Sequence, residues 1–174
     1  MSKKHTDLFV LNQTGYVYKE IAQFNKNIRT RLQQFLRQAE YENPHDMLDE
    51  SEKSFKMALS LDEQDASAHN GLGNIEMLRG NIDAAISHTK KVLEIQPRYP
   101  AALFDLASAY YFKGSTGTGK LGDSPEKSES YEHFLDIMNK IEEMMKSSTE
   151  QILPEQAMKI LNRYRNSVLK VLKD

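Results

Sequence analysis

At 174 residues the chain is long enough to bury one sizeable core and need not be divided into several domains. A formal net charge of −2, with 28% charged and 39% apolar residues, removes bulk nucleic-acid binding and strong attraction to a membrane surface from the default expectations. The absence of cysteine excludes disulfides, thiolate metal sites and cysteine catalysis together.

Residues 1–14 read as an N-terminal tail. They hold lysines and the short apolar run Leu8-Phe9-Val10-Leu11, far less than a secretory core, and no later span approaches the roughly 20 apolar residues of a membrane helix. A soluble cytoplasmic protein with no membrane span is the expectation. From about Gly15 to Glu42, Tyr18, Ile21, Ile28, Leu32, Phe35 and Ala39 recur mostly at helical spacing, which predicts a long amphipathic helix ended by Asn43-Pro44. A second helix is expected from about His45 to Leu61, with Leu48, Ser51, Phe55, Ala58 and Leu59 on its buried side and Asp46, Asp49 and Glu50 favouring its N-terminal end.

Two further helices are expected over about Asp65–Arg79 and Ile82–Gln96, separated by the helix stop Gly80-Asn81. The stretch from Ala66 to Pro97 resembles one complete tetratricopeptide repeat (TPR): Leu72 and Gly73 stand where the family places a Leu and a small residue, Gly80 closes the first helix, Ala85 is the small residue of the second, and Pro97 ends the unit. The pattern echoes at about 34 residues in both directions. His69, Leu72, Gly73 and Gly80 are followed by Leu103, Leu106, Ala107 and Gly114; Phe35, Ala39, Leu48, Ser51 and Ala58 precede His69, Gly73, Ile82, Ala85 and Val92. Three positions depart from the family pattern: His69, Glu76 and Thr89 stand where aromatic residues are common.

A fifth helix is expected from Pro100 to about Lys113, with Leu103, Leu106, Ala107 and Tyr110 on one face. Residues 114–124, rich in Gly and small polar side chains, read as a flexible inserted loop. The next helix starts at Ser124-Pro125-Glu126, with Tyr131, Phe134, Leu135, Met138, Ile141 and Met145 as its apolar stripe. A last helix begins near Pro154 and sets Ala157, Leu161, Tyr164, Val168 and Leu172 against a basic face of Lys159, Arg163, Lys170 and Lys173. Acidic residues on the helix before it predict that this basic face pairs within the molecule. The expected architecture is therefore all-α, with antiparallel helical hairpins stacked as a short right-handed TPR-like solenoid over residues 15–174 and a C-terminal capping helix.

No catalytic constellation emerges. Gly114 to Lys120 reads GSTGTGK and has the spacing of a phosphate-binding loop up to its lysine, but Leu121 replaces the hydroxyl residue that would hold magnesium and a helix precedes it where the motif needs a strand. His5, His45, His69, His88 and His133 show no metal-ligand spacing, and no nucleophile elbow or paired carboxylates are found. Neither an enzyme nor a metal or other cofactor is expected.

The resemblance implies a non-catalytic module that binds a protein or peptide segment in a concave groove lined by the first helix of each repeat. Transferred to this chain, the groove residues are Ser67, Asn70, Asn74 and Met77, followed by Phe104, Ser108 and Tyr111. Asn side chains can pair with an extended backbone, and Met77, Phe104 and Tyr111 offer adaptable and aromatic contact area. Family members that clamp the C-terminal carboxylate of heat-shock chaperones use a Lys where Asn70 stands, and Asp105 adds a negative charge here, so that specificity is not implied. An adaptor or assembly factor is the leading functional expectation. A small TPR chaperone for a secreted client is the alternative, and nucleotide binding by the glycine loop is a weaker third.

Overall fold

The computed structural model describes residue 12 and residues 44–116, 125–147 and 152–173. These form six α-helices and no strand: α1 (Pro44–Leu61), α2 (Ala66–Arg79), α3 (Ile82–Ile95), α4 (Pro100–Thr116), α5 (Pro125–Lys146) and α6 (Glu155–Val171). The all-α expectation holds, and within two residues so do the expected ends of α1 to α3. The helix expected over 15–42 and most of the inserted loop lie outside the described residues. The helices divide into two compact units, one ending at Asn81 and the other beginning at Ile82.

In the first unit α1 packs on α2. The link between them is short because Asp62 accepts from the Gln64 N–H at 3.1 Å and Asp65 then caps α2, its Oδ1 accepting from the N–H groups of Ser67 (2.8 Å) and Ala68 (3.1 Å). The other carboxylate oxygen of Asp65 accepts from Nδ2 of Asn12 at 2.7 Å, and Asn12 is itself buried. Leu48, Phe55, Ala58, Ala68, Leu72 and Ile75 make the core between the two helices. Phe55 reaches α2 because Gly71 opposite it has no side chain; a Cβ there would overlap the ring. Burying a phenyl group of this kind is worth roughly 1.5–3 kcal/mol, more than any one ion pair at the margin.

The stop at Gly80 is a Schellman motif. Gly80 has φ of 87°, its N–H donates to the Met77 carbonyl at 3.1 Å, and the Asn81 N–H donates to the Glu76 carbonyl at 2.8 Å. Among the described residues Gly80 is the one with a left-handed backbone.

In the second unit α4 is central, with α3, α5 and α6 all packed against it. Its sequence is apolar around most of the circumference, as a helix surrounded by others requires. Leu103, Phe134, Met138, Ile141, Leu161 and Val168 are fully buried. The helix runs to Thr116, three residues past the expected end at Lys113. Gly114 is buried inside it, where a Cβ would come within 2.6 Å of the Tyr131 ring on α5.

Two family departures acquire local roles. Thr89 is buried and its Oγ1 donates to the Ala85 carbonyl at 2.8 Å, replacing aromatic bulk with a satisfied hydroxyl. Glu76 accepts from Asn81 Nδ2 at 2.7 Å and lies 3.5 Å from Arg79, so it ties down the turn.

Candidate protein-binding surface

Ser67, Asn70, Asn74 and Met77 fall within about 80° of arc on α2, some 150° from the Ala68, Leu72 and Ile75 side that packs on α1. Asn70 is buried, and Ser67, Asn74 and Met77 are half-buried. The position of this face is fixed by Asp65, which sets where α2 begins, and by Arg79 at its other end. Arg79 reaches across to α1, donating to Asp49 Oδ1 at 2.5 Å and Glu52 Oε2 at 2.6 Å. A hydrogen bond from Lys56 holds the Glu52 carboxyl below its ordinary range; partial burial opposes this and Arg79 reinforces it.

On α4, Phe104, Ser108 and Tyr111 likewise share one face, within about 60° of arc. Phe104 and Tyr111 are half-buried; Ser108 is buried, and its hydroxyl has no hydrogen-bond partner among the described residues. Tyr111 has company that the sequence did not indicate. Its ring stacks on Tyr164 of α6 with centroids 4.0 Å apart and planes 6° from parallel, and it stands 6.0 Å from Phe134 and 6.5 Å from Tyr131 of α5. Phe112 meets the same Tyr164 edge-on at 5.7 Å. Burial pushes the phenols of Tyr131 and Tyr164 up, with Tyr111 adding to both shifts. Tyr111 therefore contributes to the packing of α4 against α5 and α6.

The run Tyr110-Tyr111-Phe112 is the feature of the sequence that could have pointed to this cluster. Consecutive helical residues point about 100° apart, so three aromatics in a row cannot serve one interface. Tyr110 turns the other way, 4.8 Å from the His133 ring and with Lys90 Nζ 5.6 Å from its centroid.

The expected pairing of the basic face of α6 with α5 is corrected by the structure. Among the described residues, the ion pair between the two helices is Arg165 to Glu142, at 2.5 Å. Lys159 pairs with Glu155 of its own helix at 2.7 Å, and Arg163, Lys170 and Lys173 form no ion pair with a described residue. The reason is angular: these cations lie opposite the buried Leu161 and Val168 and point away from the neighbouring helices.

No helix of the described residues is long and apolar enough to cross a membrane, and among them no cluster of His, Asp and Glu could hold a metal ion. Compared with known families, residues 73–114 match the model described as TPR repeat, a stretch covering the later part of α2, all of α3 and α4 as far as Gly114. The match supports the TPR resemblance and, with it, a protein–protein interaction module in general. No curated protein sequence matches the chain.

Proposed function

We propose that the chain is an adaptor or assembly factor of the cytoplasm that binds a protein segment through the first-helix faces of its repeats, Ser67, Asn70, Asn74 and Met77 on α2 and Phe104, Ser108 and Tyr111 on α4. The observation that carries this reading is the TPR-repeat match over residues 73–114, because the family uses these helix faces for ligand. Ser67, Asn74, Met77 and Phe104 retain exposed surface and supply a mixed polar and apolar contact area. Asn74 can donate and accept at once, which suits the backbone of a bound segment, and Met77 adapts to varied apolar side chains. Tyr111 is already stacked on Tyr164, so its share in recognition is its remaining ring edge and hydroxyl.

Affinity purification from the native cell, with the partner identified by mass spectrometry, provides the binding assay. Asn74→Ala combined with Met77→Ala, and separately Phe104→Ala, should each weaken recovery of that partner while the circular-dichroism melt stays close to the parent. Undiminished recovery with all three side chains truncated would eliminate these faces as the binding surface.

A further inference from the structure

The outward faces of α5 and α6 carry opposite charge. On α5 the exposed Glu129, Glu132, Asp136 and Glu143 fall within about 60° of arc, opposite the buried Phe134, Met138 and Ile141. On α6 the exposed Lys159, Arg163 and Lys170 fall within about 40°, opposite Leu161 and Val168, and Lys173 follows in the turn beyond the helix. Glu132, Asp136 and Glu143 form no ion pair with a described residue, and neither do Arg163, Lys170 and Lys173. From Glu129 to Glu143 and from Lys159 to Lys173 the chain advances equally, about 21 Å at 1.5 Å per helical residue.

α5 and α6 pack against each other and are tied by Arg165 and Glu142, so the two stripes belong to neighbouring helices. A polyanion such as nucleic acid, or an anionic lipid surface, would be drawn to α6 and repelled by α5. Lipid insertion would also need the apolar side of α6, which is spent on Leu161 and Val168 inside the fold. The fitting partner presents an acidic and a basic stripe side by side, of matching length. This chain does so itself.

We propose that the α5–α6 face docks on the same face of a second copy about a two-fold axis, α5 of each copy against α6 of the other. Such an isologous contact makes every charge pair twice. Ile160 and Leu169, each nearly two-fifths exposed at 39%, supply apolar area flanking the stripe. Exposed ion pairs are individually weak and screened by salt, so the dimer is reversible and favoured at low ionic strength. The inference is independent of the ligand-binding faces on α2 and α4.

Sedimentation equilibrium of the full chain should show a concentration-dependent dimer at low salt whose dissociation constant rises at least tenfold in high salt. One variant carries Arg163→Glu, Lys170→Glu and Lys173→Glu, leaving both stripes acidic; a second carries Glu132→Lys, Asp136→Lys and Glu143→Lys, leaving both basic. Each alone should be monomeric with a parent-like circular-dichroism spectrum, and an equimolar mixture should recover the dimer. A parent that stays monomeric at low salt, a dimer indifferent to salt, or a mixture that fails to associate would overturn the proposal. So would a monomeric parent that sediments with phosphatidylserine vesicles through Arg163 and Lys170, since the occupant would then be lipid.

Discussion

Gly80 and Gly114 stand at equivalent places in the repeat, and the structure uses each for a different physical reason. At Gly80 a Cβ would meet nothing within 4 Å, but the backbone has φ of 87°. Gly80→Ala should therefore cost about 1–2 kcal/mol from the left-handed conformation alone, and Gly80→Asn should recover part of that. Gly114 is in ordinary helix, and its missing side chain makes room for the Tyr131 ring. Alanine there gains up to about 1 kcal/mol of helix propensity but overpacks the crossing by about 1–3 kcal/mol, so the ring contact decides the sign. Urea unfolding should show Gly114→Ala less stable than the parent, with the loss relieved in a Tyr131→Leu background. A loss that persists undiminished in that background would remove the ring contact as its cause. Both glycines could be read from the sequence as repeat positions. Their separate causes could not, because φ and the approach of α5 are set by packing that a spacing pattern does not contain.

Between elements, the clamp of Arg79 on α1 is a contact with a titratable consequence. Glu52 has a folded-state pKa below its ordinary value of 4.5, chiefly through Lys56, with burial opposing and Arg79 assisting. A carboxylate depressed in the folded state adds stability that is complete above the ordinary value and is lost as pH falls through the lower folded value. The melting temperature of the parent should thus exceed that of Glu52→Gln at neutral pH, and the gap should narrow as the solution is taken below about pH 4. A gap unchanged by acid would mean that Glu52 acts through packing instead of charge. The helices and their apolar faces were legible because a 3.6-residue period announces which side is buried. The clamp was not, since Asp49 and Arg79 meet across 30 positions of sequence and either charge alone reads as solvated surface.

For the whole molecule, the fold class and the binding-module reading were accessible because repeats write their architecture into a period, and the TPR-repeat match over 73–114 rests on the same residues. The surface of α4 was less accessible. Helical spacing places Tyr111 with Phe104, whereas the tertiary arrangement gives its ring to Tyr164. The same helix bears on the remaining functional question, the glycine stretch 114–120. A phosphate-binding loop needs free backbone N–H groups at its glycines, following a strand. Here the first glycine of the motif lies inside α4, which continues to Thr116, so its N–H is committed to the helix and its face to Tyr131. Binding a nucleotide would require unwinding the last turn of α4 and uncovering that ring. ATP with magnesium should therefore leave the melting temperature within error of the unliganded protein, and Lys120→Ala should behave as the parent does. A nucleotide-dependent rise that disappears in the Lys120 variant would show that this turn does unwind, and would restore nucleotide binding as a function of the chain.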